Sequence, residues 1–369
     1  MDSSNSTRDS NRLRILEAIR LTAPTTRAEL ARLTGLSAPA ITHIVNDLLQ
    51  DGFLLETGRR PQARGQPPIE LDLNPTAAYT IGLHLDRDVI TGVVADLKGK
   101  PHHTVARNVE LPTPAEALAL LVESSQTLRR QAQLPDHKLL GVGIVTVGPL
   151  DVRGGRVTGP PNFPGWSDVP LRQQLADHTG LPVYLDNNAT AAAIGERWYG
   201  VGMKYRDFLY VYIGLGIGGG LVLDGRIHRG AGLNAGEFGH MLTSVPGRPP
   251  RTLEASASIL ALRRELGSAY ASPELLADNF VRGDPKLLQW LRAAATPLAQ
   301  ALASADNLLD VEAIIIGGRY PKMVLDYLVE HVRRDIEPLR MAGRPHYASI
   351  QRGRVGDDTA ALGAAILPL

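Results

Sequence analysis

Two apolar runs constrain this chain more than any other feature: "LLGVGIVTVG" at 139–148 and "AIIIGG" at 313–318. A strand with one wet face alternates apolar and polar residues. A strand with neither face wet reads as a nearly unbroken apolar run, the pattern of a parallel sheet covered on both sides. The surroundings of the two runs have the same grammar. Before the first, "YTIGLHLD", "ITGVVADLKGK" and "HHTVARNVEL" predict three antiparallel strands, followed by a helix over about 114–132. Before the second, "FLYVYIGLGIGGGLVLDGRI" predicts a strand, a glycine-rich hairpin and a strand, then a helical region over about 254–308. Another helix and a terminal one in "GDDTAALGAAILPL" complete the pattern. The fold class is α/β, with two lobes that echo each other across a cleft.

Residues 11–57 follow a different rule. Leu13, Leu16 and Ile19 have helical spacing, "TTRAELARL" is a second short helix, and "TGLS" is a turn. A third helix runs through "SAPAITHIVNDLLQDG", with Ser37 as N-cap and Pro39 in its first turn. "FLLETG" and "IELDL" then flank "RRPQARGQPP" as two strands of a wing. Three helices and a wing describe a winged helix-turn-helix. The boundary falls at "NPTAAY", dividing the chain into 1–74, a first lobe at 75–190 and a second at 191–369, with the terminal helix returning to the first lobe.

On the third helix Ile41, Ile44, Val45 and Leu48 form the apolar face, leaving Ser37, Thr42, His43 and Asn46 to reach base edges or phosphates. The wing adds Arg59, Arg60 and Arg64 without an acid, a pattern suited to the narrow minor groove. Residues 1–72 hold nine Arg against nine Asp and Glu, so the cationic signal is confined to the wing. The plainer alternative is a small helical oligomerisation module with a solvated basic loop.

A net charge of +1 does not bear on partners, because a local patch hides in a balanced total. The absence of cysteine excludes disulfides and thiolate-bound metals. "MDSSNSTRDS" has no apolar signal core, and no run approaches the ~18 residues of a membrane span, so a cytoplasmic protein without a membrane partner is expected.

The chemistry concentrates at "VYLDNNATAAAIGE" (183–196), where a strand ends in a carboxylate and two amides, Asp186, Asn187 and Asn188, before an alanine-rich helix. "GLGIGGG" (214–220) frees backbone amides to face an anion, although a plain tight turn explains it equally well. "GEFGHM" places Glu237 and His240 three residues apart, and "TLEAS" brings Glu254. Carboxylates, an imidazole and amides are the groups that pair with a ring of hydroxyls.

With "RGQPPIELDLNP", "PNFPGW", "DNNATAAAIGE", "IGLGIGGGLVLDGRIHRGAGLNAGEFGHM", "IIIGG" and "GDDTAALGAAI" in this order, the chain from about residue 11 to 369 resembles the ROK family of repressors, open reading frames and sugar kinases. The resemblance implies an actin-like, ribonuclease-H-like two-lobed body. It implies that a member with a winged helix regulates transcription in response to a sugar. The implied sugar contacts are Asn162, Asn187, Asn188, Glu237, His240 and Glu254.

Several family features are missing. The catalytic Asp of family kinases aligns with Asn188, and an amide cannot take the proton; loss of such a base costs on the order of 10²- to 10⁴-fold in rate. Asp186 is a weaker candidate for the same role. The phosphate-wrapping "GxDxGGT" is replaced by "GLHLDRD", with His84 for its first Asp and with Asp86, Arg87 and Asp88 in the loop, where two carboxylates are expected to repel a triphosphate. Leu215 stands for a phosphate-loop Thr, and the cysteine-rich zinc loop after "GHM" is lost, which assigns His240 to sugar and leaves Pro246, Pro249 and Pro250 to stiffen the loop. No catalytic residue, metal or cofactor is expected. The implied function is a sugar-responsive regulator, a repressor acting as a homodimer or homotetramer on operator DNA. A bifunctional kinase and an effector-independent regulator with a protein partner are the competing readings.

Overall fold

The computed structural model describes residues 3–61, 66–244 and 249–369. The winged helix comprises α1 (Ser3–Thr22), α2 (Arg27–Thr34), α3 (Ala38–Gln50), β1 (Leu54–Arg59) and β2 (Ile69–Leu73). A reciprocal capping box between Thr26 and Glu29 starts α2, and Gly35, in the left-handed conformation at φ 70°, stops it. Ser37 caps α3 as its position predicts, and Ile41, Ile44, Val45 and Leu48 are buried. α1 is the helix that the spacing of Leu13, Leu16 and Ile19 predicts; Ile15 and Ile19 are its buried residues, and Leu13 is 58% exposed. This small core continues into the body through Ala78 and Leu97, with Leu140 and Leu369 against it.

The body repeats one topology. In the first lobe β3 (Tyr79–Leu85), β4 (Val89–Asp96) and β5 (Pro101–Asn108) are antiparallel. Helix α4 (Pro114–Gln131) leads to β6 (Leu139–Thr146), a small hairpin of β7 (Leu150–Asp151) and β8 (Arg156–Val157), α5 (Leu171–Thr179) and β9 (Val183–Asn187). β3, β6 and β9 are parallel, so the sheet order is β5-β4-β3-β6-β9.

After α6 (Asn188–Tyr199) the plan recurs. β10 (Phe208–Ile213), β11 (Ile217–Leu223) and β12 (Arg226–His228) are antiparallel. A short hairpin, β13 (Leu242–Thr243) and β14 (Arg251–Thr252), precedes α7 (Glu254–Ala257), α8 (Ile259–Leu266), α9 (Pro273–Val281) and α10 (Pro285–Leu309). β15 (Ala313–Gly318), α11 (Lys322–Ile336), β16 (Ser349–Arg352) and α12 (Thr359–Ile366) end the chain, in the order β12-β11-β10-β15-β16. β16 was not read from the sequence: "SIQR" is a four-residue edge strand without a long apolar run.

Helices α6 and α12 pack against each other, α12 on the first sheet and α6 on the second. Their Ala/Gly composition has a steric cause. A Cβ on Gly363 would lie 1.7 Å from the Ala191 carbonyl oxygen, and one on Gly218 would lie 2.6 Å from the Ala189 Cβ. Only bare backbone permits such an approach. The corner at 186–188 therefore sits where both sheets and both central helices meet.

Candidate functional site

The exposed face of α3 carries Thr42, His43 and Asn46, with Ser37 at its tip. Thr42 Oγ1 bonds back to the Ala38 carbonyl at 2.9 Å, and Arg27 donates to Asn46 Oδ1 at 3.1 Å. Arg27, on α2, was not singled out from the sequence, because its approach to α3 is a tertiary contact. In the wing Arg59 is exposed. Arg60 is a correction: it bridges Glu29 at 2.7 Å and Glu70 at 2.9 Å and donates to the Pro24 carbonyl at 3.0 Å. A guanidinium held by two carboxylates and a carbonyl braces the wing against α2. Arg64 lies outside the described residues.

In the body, Asn187, Asn188, Glu237, His240 and Glu254 line one cleft, with Asp86, Arg87, Gly148, Tyr212 and Gly216. Its internal volume is about 50 Å³. Asn187 is the N-cap of α6, and its Oδ1 accepts from Ala189 N at 2.8 Å and Thr190 N at 3.4 Å. Its Nδ2 makes no hydrogen bond among the described residues. Asn188 opens α6, is 6% exposed, and its amide makes no hydrogen bond among the described residues. Asp186, the weaker candidate for a base, is excluded from the cleft. Buried to 2% exposure, it accepts from Arg229 Nε and Nη2 at 3.0 and 2.8 Å, and its Oδ1 accepts from Asn187 N.

Glu237 and His240 face each other at 4.0 Å on a single 3-10 turn, Phe238–His240, and its flank. Burial lifts the Glu237 carboxyl above the usual range, with His240 opposing and Glu254 adding to the rise. Glu254 Oε2 accepts from Ile217 N at 2.9 Å, which ties α7 to the hairpin between β10 and β11. Asn162 is set apart: it is exposed at φ 58°, accepts from Arg264 at 3.4 Å, and borders the neighbouring recess that shares only Glu254 with the cleft. Pro161 of "PNFPGW" lines the cleft, while Phe163 and Trp166 form a structural clip, with Trp166 buried, stacked on Phe163 and donating to the Pro112 carbonyl.

The hairpin glycines serve packing. Gly218 and Gly220 meet Ala189 and Ala193 of α6, so the close helix–sheet approach accounts for them. Leu215 is buried in the second lobe's core.

The "GLHLDRD" loop corrects the expected repulsion. Asp88 pairs with Arg319 and, at 3.3 Å, with Arg263. Asp86 lies 3.5 Å from Arg87 Nε and 3.8 Å from Arg319. These carboxylates are neutralised, so charge repulsion does not exclude a triphosphate; the side chains of a five-member ion-pair knot occupy the loop. His84 is buried, edge-on to Tyr212, and desolvation drops its pKa to about 4, so it is neutral near pH 7.

The loop after His240 is braced by a contact the sequence did not predict. Gln300 of α10 accepts from Ser244 N at 3.3 Å and donates to the Ser244 carbonyl at 2.8 Å, while β13 pairs with β14 across the loop. Pro249 and Pro250 are exposed, and Pro246 lies outside the described residues. A tetrahedral zinc needs four ligands; the chain has no cysteine, and among the described residues no three metal-ligating side chains cluster.

One link joins the two functional regions. Helix α6 begins at the cleft with Asn188 and reaches Trp198, whose ring lies 3.4 Å below the Arg20 guanidinium of α1. Desolvation lowers the Arg20 pKa to about 10. A groove of about 960 Å³ separates α1 from the body around this contact, and Arg229, the partner of Asp186, lines it too.

The sequence matches the ROK family over residues 80–369 and a winged helix-turn-helix DNA-binding family over 8–54. It is 27% identical to a putative xylose repressor of Caldicellulosiruptor sp., over 97% of this chain and 94% of the relative. A ROK family transcriptional regulator, described as a homologue of the E. coli MLC protein, has the same fold over 98% of this chain and 96% of its own, at TM-score 0.77 and 23% identity. A ROK glucokinase of Streptomyces griseus in complex with glucose and AMPPNP is 27% identical and superposes on 79% of this chain and 99% of its own, at TM-score 0.67.

Proposed function

The chain belongs to the ROK family, and we propose that it is a sugar-responsive transcriptional repressor that reads operator DNA through its winged helix and holds a carbohydrate in the cleft without phosphorylating it. One observation carries this reading: α6 starts among the cleft amides and ends under Arg20 of the winged helix. A single rigid element therefore touches both sites.

The cleft's small volume supports the coupling. At roughly 10–15 Å³ per water site, about 50 Å³ holds only a few waters. In this reading the lobes part to admit a sugar ring, and α6, which packs against both α12 and the second sheet, shifts with them. Binding energy that favours the parted lobes then biases the placement of α1 and α3. The hydroxyl-binding set is the Asn187 amide, Asn188, Glu237, His240 and Glu254, with Asn162 joining only if the recess and the cleft merge on opening. The DNA contacts are Ser37, Thr42, His43, Asn46 and Arg59. Two half-sites read by a homodimer supply the affinity that one winged helix lacks.

Asn188 and the ion-pair knot support the non-catalytic reading. At the corner itself Asn188 offers no base, and Asp186 is held by Arg229. A thermal-shift screen over pentoses, hexoses and their phosphates tests the receptor, and operator retention with and without each hit tests the coupling. A hit at 100 times its dissociation constant adds about 2.7 kcal/mol of stability. ADP release near one turnover per second with any member of the panel would refute the non-catalytic reading.

A further inference from the structure

The groove between α1 and the body is built unlike the cleft. It holds about 960 Å³ against about 50 Å³, a size that suits a small organic ligand. Its walls are apolar. Leu13 and Leu16 of α1 line one side, and Tyr184 of β9, Ile227 of β12 and Leu367 beyond α12 line the other. Leu13 is 58% exposed and Tyr184 43%, so large apolar side chains stand open to water on both walls. One exposed apolar residue needs no explanation, but a concave set of them marks a binding surface.

Cations rim the same groove. Arg12, Arg20, Arg197, Arg226 and Arg229 line it, and Glu17 is the one acidic side chain among its described lining residues. Arg12 is paired with Asp51, and Arg229 with Asp186. Arg20, Arg197 and Arg226 form no ion pair among the described residues, and Arg20 lies on the Trp198 ring. Glu17 attracts Arg20 and Arg197 alike, while the charge of Arg197 opposes that of Arg20. With a carboxylate on Leu369 counted as well, these three cations face two anions, an excess of one. A small hydrated anion gains nothing from the apolar walls, and an uncharged apolar guest leaves the guanidiniums crowded. A guest with an apolar body and one negative charge meets both conditions.

We propose that this groove is a second ligand site, for an amphipathic monoanion: a hydrophobic carboxylate whose apolar body lies between Leu13 and Tyr184 and whose charge sits among Arg20, Arg197 and Arg226. The site is separate from the cleft and does not depend on what the cleft binds. One wall belongs to the winged helix and the other to the body, so an occupant biases how the two are placed, and operator affinity changes with occupancy.

Calorimetry on the full chain tests the site, with decanoate below its micellar concentration as the probe and decanol and decylammonium as controls. Decanoate should bind saturably, one per chain, roughly tenfold or more tighter than decanol, and decylammonium should be the weakest of the three. The double variant Arg197→Gln, Arg226→Gln should bring decanoate and decanol toward equal affinity. Leu13→Asn should weaken both; Leu13 and Arg226 are exposed, so neither change empties a core. Fluorescence anisotropy should show decanoate changing operator affinity by about threefold or more, and Leu13→Asn should abolish that change. Absence of saturable decanoate binding, equal affinity for decanol, or affinities unchanged in these variants overturns the inference. A changed sedimentation coefficient of the ligand-free chain in Leu13→Asn would mean that a second copy covers the groove, and overturns it too. Binding that leaves operator affinity untouched keeps the site and overturns its control of the winged helix.

Discussion

Breaking the contact between Trp198 and Arg20 should separate sugar binding from DNA release. The guanidinium lies 3.4 Å from the ring centroid, and both side chains are half-buried. A cation–π contact is worth about 0.5–1 kcal/mol when exposed and about 2 or more when desolvated. With both side chains half-buried, a value between these limits applies, about 1–2 kcal/mol. At 1.4 kcal/mol per factor of ten, this is roughly a fivefold to thirtyfold bias in how α1 sits on α6. Coupling between sites typically spans about 5- to 150-fold, so the contact can account for much of it. Arg20→Met keeps the apolar stem and removes the charge; Trp198→Leu keeps apolar bulk and removes the ring. Operator affinity should be measured by fluorescence anisotropy with and without the panel member that gives the largest thermal shift. Each variant should retain that thermal shift and lose most of the operator response, and the double variant should lose little more than either alone. If both single variants keep the wild-type ratio of operator affinities, α6 does not carry the signal and the proposed route is wrong.

Other perturbations separate roles that look alike in sequence. Arg59→Ala should reduce the slope of log affinity against log salt by about one phosphate contact, whereas Arg60→Ala should lower the melting temperature and leave the slope nearly unchanged; equal slope changes in both would restore Arg60 to the DNA surface. Gly363→Ala forces a Cβ to within 1.7 Å of a backbone oxygen and should cost about 3 kcal/mol or more in urea unfolding; a neutral effect would mean the two central helices do not meet as described. His84 binds its proton less tightly folded, at about pH 4, than unfolded, near pH 6.5, so its contribution is intact above pH 6.5 and is lost as pH falls toward 4, by up to about 3 kcal/mol. His84→Gln should flatten the stability-versus-pH curve in that window, and identical curves would place the histidine in a wetter site.

The sequence by itself determined most of the long elements and their repetition, though not the short edge strand β16. Unbroken apolar runs at 139–148 and 313–318 became the parallel strands β6 and β15, and the capping signal at Ser37 marked the start of α3. Such signals are local: periodicity and capping depend on residues a few positions apart. The cleft set was also legible, because Asn187, Asn188, Glu237 and Glu254 lie in short motifs beside element ends. Only tertiary structure decided which charges are free. Asp186 is held by Arg229, 43 residues away; Asp88 by Arg319, 231 away; and Arg60 by Glu29, 31 away. A composition of Arg and Asp cannot announce these pairings, since an ion pair depends on where folding brings two side chains and not on their spacing along the chain. The same holds for Arg20 and Trp198, and for the guanidiniums gathered at the groove, whose crowding is a property of the folded chain.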